Sequence, residues 1–301
     1  MAVRRAQMWH KHRTAYLFVA PALICIFGIV YYPLLRAITL SFYAPETYGS
    51  LKLTFAGISN YVRLFGNADF RSSVGVSLIW IFASLAGELT LGLIYALVLN
   101  KSFRGRGLIR GLVLTAWVMP DVVGAVAWRW ILDDQFGPLN SILEKMGFAA
   151  AGFPWLGDPR TALMAAIFVN IWKGFGFVMI ILLASLQGIR KELHEAAAID
   201  GARSWQQFRY ITLPQLKPAI SVSVILRVLH FLQQFALLQV LTGGGPGQKT
   251  TTLAILTYMY GFKWGDLTSA ATVGVVILAL SALLIVGYLS TVGRSEVENG
   301  L

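Results

Sequence analysis

Six long runs of apolar residues alternate with short polar segments along the chain. The hydrocarbon core of a bilayer needs about 20 consecutive apolar residues per helix, and each run is long enough. The pattern therefore predicts an all-α integral membrane protein, with residues 1–301 forming a single transmembrane domain. The predicted spans are residues 15–42, 73–99, 108–132, 161–187, 219–241 and 268–292.

The composition agrees with this class of protein. Hydrophobic residues make up 56% of the chain, charged residues make up 13%, and the mean hydropathy is +0.66. Soluble domains are about 45–50% apolar and about 25% charged. The single cysteine, Cys25, excludes an internal disulfide and a cysteine-cluster metal site. The first apolar run, from Tyr16 to about Phe42, exceeds the roughly 7–15 residues of a signal-peptide core, so we expect it to be retained as a span.

The net charge of +11 is distributed as membrane orientation requires. Lys and Arg are concentrated before the first span, between the second and third, between the fourth and fifth, and after the sixth. Basic loops remain on the cytoplasmic side, so both termini and the segment 190–214 are predicted to be cytoplasmic. We find no basic face interleaved with aromatic residues on a soluble domain, which argues against a nucleic-acid partner.

Residues 190–214 predict a helix, a break and a second helix between the fourth and fifth spans. Gly201 follows Asp200 and suits the left-handed residue that ends a helix. Ser204 with Gln207 three residues later is typical of a capping box at the start of the next helix. Pro214 is predicted to end that helix, because proline disrupts a helix interior.

The same segment contains a spaced motif. It reads Glu-Ala-Ala from Glu195, three residues, Gly201, nine residues, and then Ile-x-Leu-Pro ending at Pro214. This motif resembles the cytoplasmic coupling loop of ATP-binding-cassette importer permeases, in which a coupling helix between the fourth and fifth of six spans contacts the ATPase. The resemblance implies that the ATPase-coupling residues are Glu195, Ala196, Ala197, Ile199, Asp200, Gly201, Leu213 and Pro214.

Three loop motifs extend the resemblance over nearly the whole chain. Residues 55–61 match F-x-G-x-x-N-Y, Trp128 and Trp130 begin a W-x-W…G-x-x-N stretch that ends at Asn140, and residues 241–246 match L-T-x-G-G-P. Alone, each is an ordinary loop or turn. In this order they resemble the carbohydrate-uptake branch of the importer permeases, of the maltose or glycerol-phosphate type.

The resemblance implies a transport subunit, with no catalytic residues and no metal or cofactor bound by this chain. The sequence contains no G-x-x-x-x-G-K-[ST] phosphate-binding loop, so ATP and Mg are expected on partner subunits. The implied partners are a second permease subunit, two ATP-binding-cassette ATPase subunits and an external solute-binding protein. The implied location is the bacterial cytoplasmic (inner) membrane, as a multi-pass protein surrounded by lipid.

Ionisable residues inside the spans are candidates for function, because burying charge in a membrane is expensive. Arg36 and Arg129 lie near span ends, where they can reach the interface. Glu88 and Asp121 lie deeper and could pair with Lys173, with Arg129 or with the arginine of the fifth span. Asp121 also follows Pro120, which predicts a bend that lines a cavity.

The fifth span has a polar stripe near its midpoint. Arg227, His230, Phe231 and Gln234 recur at helical spacing and would face one side. Donors, acceptors and an aromatic face suit a sugar, so these four are the predicted substrate-pathway residues. A helix contact with the partner permease is the alternative. Arg227 also leaves open an anionic sugar, unless a carboxylate of the bundle neutralises it.

Two other classes of protein fit the sequence less well. A secondary transporter or channel is expected to have internal repeats or an aligned ion pathway, and neither is evident. A membrane enzyme needs a clustered set of catalytic groups, whereas the four histidines lie far apart along the sequence. Co-purification separates the classes, since an importer permease is expected to carry ATPase subunits with it.

Overall fold

A computed structural model describes residues 16–46, 52–148 and 152–299. The described chain is mainly helical and falls into two compact units. One comprises the chain up to Gly66 together with Thr257–Val276, and the other comprises Asn67–Leu256 together with the chain from Ile277 onward.

The first unit contains α1 (Tyr16–Leu40), which includes a π-helical part at Ile26–Tyr31. A short antiparallel hairpin of β1 (Tyr43–Pro45) and β2 (Leu53–Phe55) follows, and then α2 (Ser59–Gly66). The π-helical turn Met259–Lys263 also belongs to this unit, and it follows α11 (Leu253–Tyr258), whose first four residues belong to the second unit.

The F-x-G-x-x-N-Y motif stabilises this hairpin. Asn60 is buried, and its side-chain amide donates to the carbonyls of Ser41 and Tyr43, at 2.8 Å each. The Tyr61 hydroxyl lies 2.7 Å from the Ser41 hydroxyl. Gly57 has a φ of +55°, which a residue with a side chain rarely adopts. The motif therefore joins α1, the hairpin and α2.

The second unit contains the helices that surround the candidate site. In chain order they are α3 (Ala68–Asn100), α4 (Arg106–Val118), α5 (Asp121–Ile131), α6 (Pro138–Lys145), α7 (Ala162–Gln187), α8 (Lys191–Ile199), α9 (Ser204–Gln233) and α10 (Ala236–Leu241). The last helix, α12 (Leu267–Asn299), begins in the first unit and ends in the second.

Helices α3 and α7 pack closely in this unit. A Cβ added at Gly92 of α3 would lie 2.8 Å from Cβ of Val178 of α7, and one added at Gly87 would overlap Ile171. Small residues let membrane helices approach closely and gain van der Waals contact. The apolar core beside this contact is formed by Ala96, Leu99, Val178, Met179, Leu182, Leu183, Leu186 and Leu216.

Helices long and apolar enough to cross a membrane correspond to most of the predicted spans. Within the described residues there are five such helices, and the number of candidate spans becomes six if the bent pair α4 and α5 is counted as one span. The predicted boundaries 73–99 and 161–187 agree with α3 and α7 to within a few residues. The first span, 15–42, corresponds to α1, and its residue 15 lies outside the described residues.

The predicted third span, 108–132, is wrong as a single helix. Helix α4 ends at Val118, α5 begins at Asp121, and the two axes differ by 99°. Met119 and Pro120 between them have ψ angles of 133° and 140°. Proline disfavours the helical conformation of the preceding residue and cannot donate a backbone hydrogen bond, so the bend predicted at Pro120 is confirmed.

The expected helix end at Pro214 and the upper boundary of the fifth span are also wrong. The helix α9 continues through Pro214 and Pro218 to Gln233, and α10 then begins at Ala236. A π-helical turn at Phe208–Thr212 precedes Leu213, so Pro214 falls in the first turn of the following α-helical part, where its missing N–H matters least.

The two remaining motifs organise loops of the second unit. Asn140 is buried, and its amide binds the Trp155 indole at 2.7 Å and the Phe153 carbonyl at 3.1 Å. A Cβ at Gly137 would collide with the backbone of Asp133. In the L-T-x-G-G-P turn, the Thr242 hydroxyl lies 2.7 Å from the Thr250 hydroxyl, and Gly245–Pro246 is a cis peptide.

Candidate functional site

A buried ion pair joins α3 to α9 in the interior of the second unit. Glu88 has none of its surface exposed and Arg227 has 6% exposed. Arg227 donates from Nε and Nη2 to the two carboxylate oxygens of Glu88, at 2.5 and 2.6 Å. This bidentate geometry is the strongest form of an arginine–carboxylate contact. Of the two carboxylates that could neutralise Arg227, the structure thus identifies Glu88.

Gly174 of α7 makes room for this pair. A Cβ at position 174 would overlap the Glu88 carboxylate and lie 2.5 Å from Nη2 of Arg227. The guanidinium carbon also lies 4.7 Å from the ring centre of Phe231 and 5.8 Å from that of Phe177. Rings at these distances stabilise a cation electrostatically, so the arginine is held by a carboxylate and two aromatic rings.

A second ion pair crosses the bend between α4 and α5. Lys173 of α7 lies 2.8 Å from Asp121, the first residue of α5, and donates to the carbonyl of Trp117 of α4 at 3.4 Å. Arg129 does not take part in this pair, since its guanidinium donates to the Val240 carbonyl at 3.3 Å. Lys173 therefore contacts both helices at the bend that Pro120 creates.

A polar cavity of about 60 Å³ lies among these groups. It is lined by Trp117, Asp121, Asn170, Lys173, Gly174, Arg227, His230 and Gln234. Three of the four predicted substrate-pathway residues, Arg227, His230 and Gln234, are thus brought together. Phe231 is buried against Arg227 and is not among the lining residues.

Gln234 reaches the cavity by a route that the helical spacing did not predict. Helix α9 ends at Gln233, and Gln234 has extended backbone angles, φ −68° and ψ 114°. It is 5% exposed, and its Oε1 has no hydrogen-bond partner among the described residues. The break between α9 and α10 therefore turns this amide toward the cavity instead of continuing the stripe.

Asn170 is a cavity residue that the sequence analysis missed. It is 1% exposed, and its Nδ2 has no hydrogen-bond partner among the described residues. Two sequence signals were present. Asn170 is the one asparagine in the predicted span 161–187, and it precedes Lys173 by three residues, which places both on one helical face.

The segment 190–214 forms a helical elbow. Gly201 has a φ of +79°, the Gly201 N–H donates to the Ala198 carbonyl at 3.1 Å, and the Ala202 N–H donates to the Ala197 carbonyl at 2.8 Å. This is the two-bond glycine termination called a Schellman motif. The helix end predicted at Gly201 is therefore confirmed.

The predicted capping box at Ser204 is wrong by one residue. Arg203 is the N-cap, and its backbone N–H donates to Oε1 of Gln206 at 2.7 Å. Gln207 instead joins the two helices of the elbow. Its side chain lies 3.2 Å from Nδ1 of His194 on α8 and donates to the Ala202 carbonyl at 3.1 Å.

The elbow presents exposed apolar groups. Ile199 is 87% exposed, and Trp205 and Tyr210 are also exposed. Of the remaining predicted coupling residues, Glu195, Ala196, Asp200, Gly201 and Pro214 are exposed, and Ala197 and Leu213 are partly buried. These exposed apolar side chains lie on the segment whose motif resembles a coupling loop.

The profile of the family described as "Binding-protein-dependent transport system inner membrane component" matches residues 88–292. The chain belongs to this family. It is a multi-pass, inner-membrane permease subunit, and it is not an enzyme.

Individual relatives agree with that assignment. The permease is 34% identical over 286 residues to the trehalose/maltose transport system permease protein of Thermococcus litoralis, covering 95% of each chain. It is 34% identical to the sulfoquinovosyl glycerol transport system permease protein of Agrobacterium fabrum, covering 94% of this chain and 91% of the other.

A solved structure shows the same fold. A chain of the bacterial ABC transporter involved in import of the acidic polysaccharide alginate superposes with a TM-score of 0.82 and 23% identity, covering 96% of this permease and 99% of that chain. The resemblance to importer permeases stated from the sequence motifs is thus confirmed.

Proposed function

We propose that this permease forms half of the translocation pathway of an ATP-driven, binding-protein-dependent importer of a sugar or oligosaccharide. The relatives named for trehalose/maltose and sulfoquinovosyl glycerol transport support a carbohydrate substrate. The second permease, two ATPase subunits with ATP and Mg, and an external binding protein complete the assembly. The six apolar runs support six spans, and the distribution of Lys and Arg supports cytoplasmic termini.

The elbow at Glu195–Gly201 is the proposed coupling element. The observation that carries this proposal is the nearly complete exposure of Ile199 on a helix whose end is held by the Gly201 termination. Because α8 is bonded through Gln207 to the start of α9, movement of a docked ATPase would be transmitted to α9. Helix α9 carries Arg227 of the buried pair, so the cavity would respond to nucleotide state.

The docking surface is tested by Glu195→Lys in the assembled importer, with Glu144→Lys on α6 as a matched control. Both glutamates are exposed, and α6 is predicted to be external. We expect Glu195→Lys to abolish sugar uptake while the protein remains inserted, and Glu144→Lys to retain uptake. Full uptake by Glu195→Lys would contradict the coupling role.

The orientation has a separate test. In a Cys25→Ser background, a cysteine at position 200 should react with a membrane-impermeant thiol reagent only after the cells are permeabilised. A cysteine at position 144 should react in intact spheroplasts. The reverse pattern would place the elbow on the outer side and rule out docking of an ATPase.

A further inference from the structure

The cavity offers one unused donor and one unused acceptor. Nδ2 of Asn170 and Oε1 of Gln234 are both buried and have no partner among the described residues. A buried polar group without a partner carries a free-energy cost, so both atoms favour a ligand that can satisfy them together. A hydroxyl group can do so, because it accepts one hydrogen bond and donates another.

The charges around the cavity are already paired. The guanidinium of Arg227 is bound by Glu88, and the ammonium of Lys173 lies 2.8 Å from Asp121. The formal charges of these four side chains cancel. His230 is the remaining basic side chain among the described lining residues, and it is exposed.

We infer that this cavity selects a neutral polyhydroxylated substrate and rejects an anionic one. This inference rests on the proposed function, since it concerns the substrate class of the same pathway. A carboxylate or sulfonate can only accept hydrogen bonds, so it would leave Gln234 Oε1 unsatisfied and would itself be buried without a free cation. A rotation of the Asn170 or Gln234 amide by 180° would exchange its oxygen and nitrogen. The amide would remain uncharged, so the cavity would still offer no free cation to an anionic substrate.

The volume limits which part of the substrate enters. A water molecule occupies about 30 Å³ in the liquid, so a cavity of about 60 Å³ admits a hydroxyl or hydroxymethyl group and not a whole sugar ring. The cavity thus binds one hydroxyl or hydroxymethyl group of a sugar, and the sugar ring lies outside it. Trp117 lines the same cavity, and its indole can pack against the adjoining C–H groups.

The test uses the purified importer complex in nanodiscs. The external binding protein is left out, so that any preference between sugars comes from the membrane subunits. The probes are maltose, trehalose, cellobiose and lactose, each paired with a form in which one hydroxymethyl group is oxidised to a carboxylate. Binding is measured by saturation-transfer difference NMR at pH 8, where an imidazole with an ordinary pKa of about 6.5 is neutral. We expect at least one neutral sugar to bind about tenfold or more tightly than its carboxylate form.

Two variants assign the preference to this cavity. Asn170→Leu, which removes the unused donor, should weaken neutral-sugar binding roughly threefold to tenfold, the range for one lost hydrogen bond. Glu88→Gln leaves Arg227 without its carboxylate and should increase binding of the carboxylate forms. If Glu88→Gln fails to assemble, the double variant Glu88→Gln with Arg227→Gln should keep the neutral preference.

The possible outcomes separate this inference from the function on which it rests. Equal or tighter binding of the carboxylate forms by the wild-type complex would overturn the inference while leaving a sugar importer in place. Unchanged neutral-sugar binding by Asn170→Leu would mean that the cavity holds only water, which also overturns it. Failure of every probe to bind, together with ATPase activity insensitive to sugar-loaded binding protein, would instead contradict the sugar pathway itself.

Discussion

At the scale of single residues, the buried pair of Glu88 and Arg227 is the most demanding feature of the permease. A charged residue at the centre of a membrane helix costs about 2.5–3.5 kcal/mol on insertion scales. Two charges that share a bidentate contact and two aromatic rings offset much of that cost. Removing one partner of such a pair is more damaging than removing both, because the remaining charge stays buried without compensation.

Gly174→Ala should disturb this pair. A methyl group at position 174 overlaps the Glu88 carboxylate, so the two side chains must separate or α7 must shift. If the pair breaks, we expect the free energy of unfolding to fall by about 3–5 kcal/mol. The measurement is the thermal midpoint of the complex in detergent, which should be lower than that of the wild type.

Gly75→Ala on α3 is the matched control for that variant. A Cβ at Gly75 has no neighbour within 4 Å among the described atoms, so a small effect is expected. Equal thermal midpoints for Gly174→Ala and Gly75→Ala would show that the glycine does not accommodate the pair.

Gln234→Ala should change the substrate response of the importer without removing basal ATP hydrolysis. The variant deletes a buried amide that lines the cavity, whereas the elbow proposed to contact the ATPase is untouched. Uptake rate as a function of sugar concentration is the measurement, and the exposed neighbour Gln233→Ala is the control. Identical concentration dependence for both variants would assign Gln234 to helix packing.

At the scale of elements, the candidate site residues are positioned mainly by breaks in the helices. The 99° bend between α4 and α5 places Asp121 opposite Lys173, and the break after α9 turns Gln234 into the cavity. The end of α8 at Gly201 produces the exposed elbow. In each case a proline, a glycine or a local change of backbone angle sets the position of a side chain proposed to be functional.

The elbow predicts a charge-specific defect. Gly201→Asp and Gly201→Asn add side chains of nearly equal size at a positive φ, so they impose a similar backbone strain, and a Cβ at position 201 meets no described atom within 4 Å. Only the aspartate adds a negative charge beside exposed Asp200. We expect both proteins to insert, with uptake abolished for Gly201→Asp and largely retained for Gly201→Asn. Equal uptake would argue against a docking surface at this position.

At the scale of the whole molecule, the permease is expected to function only in a larger assembly. The described chain exposes Ile199 and Trp205 on the elbow, and its sequence contains no phosphate-binding loop for ATP. Purification in mild detergent should therefore recover it with two ATPase subunits and a second permease, as judged by subunit stoichiometry in native mass spectrometry. A stable complex without ATPase subunits would favour a channel or a secondary transporter instead.

Much of this protein could be predicted from the order of its residues. Membrane insertion depends on local hydrophobicity, and therefore the apolar runs located most spans to within a few residues. The helix end in the elbow could also be predicted from nearby residues alone, because glycine at position 201 suits a left-handed helix end whatever surrounds it. The bend at Pro120 was also predictable, because proline restricts the residue before it whatever surrounds the pair.

Other features depended on the tertiary structure. Which carboxylate binds Arg227 could not be read from the sequence, because Glu88 lies 139 positions away and pairing depends on how α3, α7 and α9 pack. The size of the bend between α4 and α5 could not be read from the sequence either, since Pro120 marks a disruption without setting its angle. The helix α9 continues through Pro214 because a π-helical turn at Phe208–Thr212 puts this proline in the first turn of the α-helical part that follows. Asn170 became a candidate only when folding brought its unpartnered amide to the same cavity as Gln234, since burial is a property of the assembled helices and not of any one segment.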